Sequence, residues 1–253
     1  MNVYGTEQIR NVVLLGHGGA GKTTVAEALA LLTGVTKRMG KVPDGNTISD
    51  YDKEEVKRQF SISTTLIPLE YQGESGPIKI NLLDTPGFFD FVGEVEEAIS
   101  VADAAIIVVN CKAGIEPGTE KAWEMCEKYK LPRLIFVTNM DDDHASYREL
   151  VVKLETRFGR KIAPFQLPIR ENEKFVGFVN VVKMAGRRFT ELSDYVECEI
   201  PEYVEKNLTI ARDALIEAVA ETNEEYMERY FLGEEFTQEE ISTALREHVI
   251  EGE

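Results

Sequence analysis

The first half of the chain alternates two patterns of apolar residues. Short runs rich in Val, Ile and Leu are typical of buried strands, and longer stretches with helical spacing follow them. Strands are predicted at 11–15, 78–83, 104–110 and 133–137, and helices at 22–32, 117–129 and 145–158. This alternation predicts an α/β fold with a mostly parallel, doubly wound sheet.

The second half has a different order of elements. Short strands are predicted at 162–167, 175–182 and 187–191, followed by helices at 203–220, 223–231 and 237–249. We therefore predict a core over 1–159 and a smaller α/β subdomain over 160–253. Residues 33–60 contain glycine, proline and many charged residues, and their apolar residues follow neither helical nor strand spacing. This composition indicates a mobile segment.

The turn between the first strand and the first helix has a phosphate-binding pattern. Gly16-His17-Gly18-Gly19-Ala20-Gly21-Lys22-Thr23 fits G-x-x-x-x-G-K-[ST]. Glycines let successive backbone N–H groups close around phosphate oxygens, Lys22 reaches the terminal phosphates, and the Thr23 hydroxyl suits Mg²⁺. The alternative is a glycine-rich turn that caps a helix, with Lys22 solvated. The candidate nucleotide-binding residues here are His17 (through its backbone N–H), Gly18, Gly19, Ala20, Gly21, Lys22, Thr23 and Thr24.

A second motif, Asp84-Thr85-Pro86-Gly87, ends the strand predicted at 78–83. A carboxylate at a strand tip beside a phosphate loop holds Mg²⁺ through water, and the Gly87 N–H can contact a terminal phosphate. Alone, the tetrapeptide would be an ordinary turn. Together the two motifs predict a nucleotide-dependent switch.

With these motifs the chain resembles the G domain of the elongation factor G family of ribosomal translocation GTPases along nearly all its length. The shared stretches are Gly-Lys-Thr-Thr at 21–24, Asp50-Tyr51 with the charged run to Arg58, Asp84–Gly87 followed by Asp90-Phe91, and Gln166-Leu167-Pro168-Ile169. The resemblance implies a P-loop GTPase fold with an inserted subdomain, GTP or GDP and Mg²⁺ as cofactors, and 33–60 as a first switch ordered by nucleotide. We interpret the chain as a divergent paralogue because several motifs depart from the family pattern.

Two departures concern ligand contacts. Ser61 stands where the family has the threonine that ligates Mg²⁺, so the implied metal ligands are Thr23, Ser61 and Asp84. The guanine motif Asn-Lys-x-Asp is replaced by Thr138-Asn139-Met140-Asp141. Asp141 would still accept from two guanine N–H groups, but loss of the flanking residues should weaken binding by about 1 kcal/mol. The alternative for Asp141 is a helix N-cap.

The third departure concerns catalysis. The family places a water-orienting histidine after Asp-Thr-Pro-Gly, and this chain has Phe88, which cannot hydrogen-bond to water. Gly18 and Gly19 replace an apolar residue and an aspartate, so these small residues are expected to compensate in volume for Phe88. The candidate catalytic residues are Lys22, Gly87 and the altered position Phe88.

The acidic charge is concentrated near the end of the chain. The net charge is −17, and residues 191–253 have 19 acidic and 4 basic side chains. The resemblance implies that an acidic helix of the inserted subdomain docks the ribosomal stalk protein, and Glu224, Glu225 and Glu228 match it. The alternative is a solvated helix face. Cys111, Cys126 and Cys198 lack metal or redox spacing and the first ten residues lack an apolar core, so we expect a cytoplasmic monomer without membrane or DNA partners.

The sequence leaves three functional hypotheses open. The first is a Mg²⁺-dependent GTP-binding domain of a translation GTPase that hydrolyses GTP slowly by itself. The second is a ribosome-docking switch with little hydrolysis, and the third is a P-loop ATPase. The family's Ser-Ala loop is absent and the chain stops at Glu251-Gly252-Glu253, so we expect the last core strand and helix to be missing.

Overall fold

A computed structural model of the chain describes residues 3–73, 76–159, 162–172, 174–190 and 194–251. These residues form two compact units that divide between Thr138 and Asn139. The predicted division into a core over 1–159 and a subdomain over 160–253 stays a prediction.

The first unit contains five strands and four α-helices among the described residues. They are β1 (Ile9–Leu15), α1 (Lys22–Leu32), α2 (Lys53–Arg58), β2 (Thr65–Gly73), β3 (Gly76–Asp84), α3 (Val92–Ser100), β4 (Ala104–Asn110), α4 (Pro117–Tyr129) and β5 (Arg133–Thr138). The strand order is β2-β3-β1-β4-β5, and only β2 runs antiparallel to its neighbour. The predicted α/β fold with a mostly parallel sheet is confirmed.

The central strands are buried on both faces, which explains their nearly continuous apolar runs. In β1, Val13 and Leu14 have no exposed surface, and in β4 the same holds for Ile107 to Val109. The edge strand β2 was not predicted from the sequence. It contains Pro68, and proline is tolerated at sheet edges because an edge position can lack an N–H donor.

The parallel register brings the carboxyl ends of four strands to one edge of the sheet. Leu14 of β1 pairs with Asp84 of β3, Leu15 pairs with Ile107 of β4, and Asn110 of β4 pairs with Thr138 of β5. The loops that follow these strands therefore start close together, which is where open α/β sheets bind ligands.

Local sequence signals account for the helix boundaries in this unit. Helix α4 has the predicted bounds because Pro117 favours a first helical position and Lys130 ends the helix in a left-handed conformation. Helix α2, which was not predicted, begins with a capping box in which Asp52 accepts from the Glu54 N–H and Glu55 accepts from the Asp52 N–H. Helix α3 was also not predicted.

The second unit contains four antiparallel strands and four helices among the described residues. They are α5 (Tyr147–Phe158), β6 (Gln166–Glu171), β7 (Lys174–Asn180), β8 (Ala185–Phe189), β9 (Tyr195–Cys198), α6 (Glu202–Ala220), α7 (Glu224–Leu232) and α8 (Gln238–Glu251). The strand order is β6-β7-β8-β9. The strand predicted at 162–167 begins later, the one predicted at 187–191 runs into residue 191 outside the described residues, and β9 was not predicted.

The core of the second unit lies between one face of its sheet and its long helices. Ile169 and Val179 from the strands are buried in one cluster with Leu215 of α6 and Ile241 of α8. This arrangement confirms a smaller α/β part after the parallel sheet. Within the described ranges, no helix combines the length and apolar character that a membrane crossing requires.

Candidate functional site

The phosphate-binding loop connects β1 to α1 and has a backbone that requires glycine. Gly16, Gly19 and Gly21 have φ values of +140°, +82° and +97°, which are unfavourable for side-chain-bearing residues. A β-carbon on Gly16 would lie only 2.4 Å from the carbonyl oxygen of Val108. The loop therefore keeps its shape because of backbone conformation and close contact with β4.

Lys22 lies across this loop rather than in solvent. Its Nζ donates to the carbonyl oxygens of Gly16 and His17, both at 3.0 Å, and the residue is 6% exposed. Burial lowers the pKa of Lys22 to about 8, although the nearby Asp84 and Asp50 carboxylates favour the charged form. A phosphate beside Nζ would supply further negative charge and raise that pKa. The alternative of a solvated Lys22 is wrong.

Asp84 is completely buried at the end of β3. The Ser49 hydroxyl donates to Asp84 Oδ2, whereas Oδ1 has no hydrogen-bond partner among the residues that the structure describes. Burial raises the pKa of Asp84 to about 6 against the opposing effects of the Ser49 and Thr23 hydroxyls and of Lys22. A buried, unpaired carboxylate oxygen is costly unless a ligand satisfies it.

The predicted metal-binding hydroxyls are adjacent. Thr23 Oγ1 and Ser61 Oγ are 3.3 Å apart and form a hydrogen bond in which either can donate. Both residues are at most 9% exposed. Ser61 therefore keeps a hydroxyl beside Thr23, as the sequence comparison implied.

Asp50 is a candidate residue to which the sequence analysis gave no role. It is 4% exposed, and within the described part of the chain neither carboxylate oxygen has a hydrogen-bond partner of normal geometry. Burial raises its pKa, while the nearby Ser61 hydroxyl opposes that rise. The only signal in the sequence was its position in the charged run shared with the family.

The donor set fits a hard divalent cation. Two hydroxyls, the free oxygen of Asp84 and the unpaired carboxylate of Asp50 are hard oxygen donors, which Mg²⁺ prefers. The positive charge of Lys22 opposes the rise in the pKa of both carboxylates. The described residues contain no group of three or more His, Cys, Asp or Glu side chains placed to hold a metal.

Two buried glutamates fix the segment that carries Asp50 and Ser61. The Glu27 carboxylate of α1 accepts from the N–H groups of Gly40 and Ile48 at 2.7 and 2.5 Å. The Glu55 carboxylate of α2 accepts from Ile62 N–H and Ser63 N–H at 2.9 and 3.1 Å. These contacts were not predictable from a stretch without periodicity, and its predicted mobility stays a prediction.

Phe88 packs directly over the phosphate loop. A β-carbon on Gly18 would lie 3.0 to 3.2 Å from three atoms of the Phe88 ring, so the missing side chain at Gly18 makes room for the phenyl group. The ring also meets Phe60 edge-to-face, with 4.8 Å between centroids. Volume compensation thus holds at Gly18. It does not hold at Gly19, where an added β-carbon would meet no atom within 4 Å.

Gly87 is required by the same close packing. A β-carbon there would lie 2.4 Å from Lys22 Nζ and 2.7 Å from the backbone of Gly18. The Gly87 backbone therefore packs against the phosphate loop, and its predicted contact with a terminal phosphate stays a prediction.

These residues line a cavity of about 220 Å³ in the first unit. Its wall includes Gly18, Gly19, Gly21, Lys22, Thr23, Thr24, Asp50, Ser61, Gly87 and Phe88.

Two predicted residues position the loop rather than line the cavity. The Thr138 hydroxyl donates to the Ala20 carbonyl oxygen at 2.7 Å and so ties the end of β5 to the loop. His17 Nδ1 accepts from the Gly118 N–H at 3.3 Å, and its Nε2 lies 3.6 Å from Glu116. Both side chains hold the loop in place.

The remaining candidates belong to the second unit. Asn139 is exposed with φ +54°, and Asp141 is exposed. The N-cap alternative for Asp141 is wrong, because α5 begins after Ser146, whose hydroxyl accepts from Glu149 N–H. Glu224, Glu225 and Glu228 are exposed on α7.

Comparison with known proteins agrees with this geometry. A family model described as the elongation factor Tu GTP-binding domain matches residues 7–238. Elongation factor G of Thermotoga petrophila is 36% identical over 247 residues, covering 97% of this chain and 35% of that protein. A crystal structure of a protein from Thermus thermophilus superposes with a TM-score of 0.89 at 38% identity, covering 97% of this chain and 36% of the other. The chain spans about a third of the length of these relatives.

Proposed function

Because this chain belongs to the elongation factor Tu GTP-binding domain family and forms the G domain of a translation GTPase, we propose that it binds GTP and GDP with Mg²⁺ and hydrolyses GTP in ribosome-linked work. Such work would place the protein in the cytoplasm. The observation that carries the proposal is the cavity lined by Lys22, Thr23, Asp50 and Ser61. The buried Asp84 carboxylate adjoins Lys22 and Thr23, and its Oδ1 has no hydrogen-bond partner among the described residues.

Each residue of the cavity has a distinct part in binding phosphates. The loop N–H groups and Lys22 Nζ neutralise phosphate oxygens at the start of α1. Thr23, Ser61 and Asp84 would hold Mg²⁺, with Asp50 as a further acidic group. When bound, Mg²⁺ neutralises phosphate charge that develops during transfer. Burial of these groups strengthens each electrostatic contact because water is excluded.

The same geometry argues for slow hydrolysis. Phe88 presents a phenyl ring where the family has a histidine, and that ring is packed against Gly18 and Phe60. A positioned polar group contributes typically ~10²- to 10⁴-fold to proton-coupled steps. Hydrolysis should therefore proceed at a slow basal rate while nucleotide binding is retained.

This packing also favours the second candidate function, a nucleotide-dependent ribosome-docking switch with little or no hydrolysis. The docking surface would be the acidic face of α7 with Glu224, Glu225 and Glu228, and the partner the ribosomal stalk protein. The support is that all three side chains are exposed on one short helix.

Base recognition is assigned to Asp141 on the family resemblance. Its carboxylate would accept from two guanine N–H groups, and ATP would leave it without those donors. Calorimetric titration with GDP, GTP and ATP tests this assignment. We expect preference for guanine nucleotides, and Asp141→Asn should shift that preference to xanthine nucleotides. Equal affinity for GTP and ATP would overturn the guanine assignment.

Phosphate binding is tested separately at Lys22. Lys22→Met removes a charged donor and should weaken GDP binding about 10- to 100-fold. Lys128→Met, at an exposed lysine of α4, is the matched control and should leave GDP affinity unchanged. Equal GDP affinity of the Lys22→Met variant and the parent chain would contradict the proposed cavity.

Ribosome-stimulated GTP turnover separates the enzyme from the switch. A single-turnover assay with and without ribosomes should give a slow rate that ribosomes raise little. A large stimulation would mean that a group other than residue 88 orients the attacking water.

A further inference from the structure

A guanidinium group of the second unit holds the backbone of the base-recognition motif. Arg170, in β6, donates from Nη2 to the carbonyl oxygen of Met140 at 2.5 Å. Met140 directly precedes Asp141, the residue to which guanine recognition is assigned. The contact spans thirty positions of sequence, so it fixes the loop from outside the loop.

Arg170 is itself fixed by helix α6. The Tyr203 hydroxyl accepts from the Arg170 N–H at 2.9 Å and donates to the Arg170 carbonyl oxygen at 2.6 Å. Both backbone groups of Arg170 thus bond to the Tyr203 hydroxyl, which fixes the backbone position from which the Arg170 side chain extends. Tyr203 belongs to the first turn of α6, and this helix packs into the core through Val204 and Leu208.

Hydrogen bonds within the loop also shape its backbone. Asn139 has a left-handed backbone, its carbonyl oxygen accepts from Asp142 N–H at 3.3 Å, and the Asp142 carboxylate accepts from His144 N–H at 2.9 Å. These bonds are local. The contact from Arg170 ties the loop to the sheet of the second unit.

We propose that Arg170 is a positioning residue for base recognition, which holds the Met140–Asp141 backbone so that the Asp141 carboxylate is presented to guanine. The proposal rests on the proposed guanine role of Asp141. It gives the smaller unit a part in nucleotide specificity through the series Tyr203, Arg170, Met140. A base-reading site needs such rigid support, because a misplaced carboxylate loses its discrimination between bases.

Arg170→Met tests the proposal because it keeps the aliphatic stem and removes the donor. Calorimetric titration should show GDP affinity lowered about 3- to 10-fold, in line with the loss of one charge-assisted hydrogen bond, and ADP affinity unchanged. The GDP-to-ADP ratio therefore falls. Arg170→Lys, which keeps a donor, should restore part of that ratio.

Arg212→Met is the matched control. The Arg212 guanidinium also donates to backbone carbonyl oxygens, those of Val181 and Val182 at 3.0 Å each, in the same unit. This variant should lower the melting temperature and leave the GDP-to-ADP ratio unchanged. A fall in the ratio as large as that of Arg170→Met would show general destabilisation and overturn the positioning role.

A double-mutant cycle with Asp141→Ala separates the role of Arg170 from that of Asp141. If Arg170 acts through Asp141, Arg170→Met has no further effect on the GDP-to-ADP ratio in the Asp141→Ala background. If Asp141→Ala leaves the ratio of the parent chain unchanged, both assignments fail. If Asp141→Ala lowers the ratio and Arg170→Met does not, only the role of Arg170 fails.

Hydrogen exchange supplies a readout without nucleotide. The amides of residues 139–145 should exchange faster in Arg170→Met than in the parent chain, while those of α6 stay protected. Unchanged exchange in that segment would contradict the contact on which the proposal stands.

Discussion

Substitution of Gly18 by alanine tests the fit between the phosphate loop and Phe88. The new β-carbon would lie 3.0 Å from Cζ and 3.1 and 3.2 Å from the two Cε atoms of the Phe88 ring. These distances are shorter than ordinary carbon contacts, so the ring must move. Because Phe88 is 41% exposed, it can move outward, and the overpacking should cost about 1 kcal/mol, the lower end of the usual range.

Movement of Phe88 also weakens its edge-to-face contact with Phe60. Such pairs contribute about 0.5 to 1.5 kcal/mol beyond area burial, so Gly18→Ala should lower the free energy of unfolding by about 1 to 2 kcal/mol in all. In a Phe88→Ala background the obstacle is absent, and the same substitution should cost close to nothing. The coupling energy between the two positions is therefore also about 1 to 2 kcal/mol.

Urea denaturation followed by fluorescence of Trp123, the single tryptophan, measures all four members of this cycle. Gly19→Ala is the matched control, because its cost comes from a φ of +82° with no atom within 4 Å. That strain, about 1 to 2 kcal/mol, should be the same with or without Phe88. Equal costs of Gly18→Ala in the two backgrounds would refute the proposed fit.

Three further predictions follow from the buried acid, the loop tie and the acidic helix. The folded pKa of Asp84, about 6, lies above its ordinary 3.8, so the folded state binds this proton more tightly and stability falls as pH rises between these values. Asp84→Asn should reduce that slope in urea denaturation without nucleotide, and an unchanged slope would contradict the assignment. Thr138→Val removes the hydrogen bond to Ala20 and should lower the free energy of unfolding by about 1 kcal/mol and also weaken GDP binding. Thr138→Ser keeps the hydroxyl and should behave like the parent chain. Equal melting temperatures for the two variants would argue against a stabilising role of this hydrogen bond. Charge reversal on α7 by Glu224→Lys, Glu225→Lys and Glu228→Lys should abolish salt-sensitive binding to a stalk-protein C-terminal domain and leave GDP affinity unchanged. If stalk binding at low salt is unchanged, these glutamates form only a solvated helix face.

The sequence predicted best the parts of the site that are local in the chain. The phosphate loop is one contiguous motif between a strand and a helix, so its glycines, Lys22 and Thr23 could be assigned before the structure was known. Asp84 followed because parallel strands end at one edge of the sheet. The same reasoning explains why the helix over Pro117–Tyr129 was predicted with its observed bounds, since Pro117 marks its start.

The parts that sequence reasoning missed are held by contacts between distant residues. Asp50 lies in a stretch without periodicity, and its burial depends on hydrogen bonds from the backbone around it to Glu27 and Glu55. No local pattern encodes those contacts. Strand β2 was missed for a related reason, because Pro68 weakens a strand signal that pairing with β3 restores.

The space that the Phe88 ring occupies depends on residues that the sequence identified only in part. The comparison suggested that Gly18 and Gly19 together make room for the larger residue. In the structure, Gly18 makes room for the ring, whereas Gly19 is favoured by its positive φ. Phe60 is a further contact of the ring. Phe60 adjoins Ser61, and Phe88 adjoins Gly87. The aromatic pair therefore joins the segment of Ser61, a proposed metal ligand, to the loop of Gly87, which is proposed to contact the terminal phosphate. A change at residue 88 should act on both.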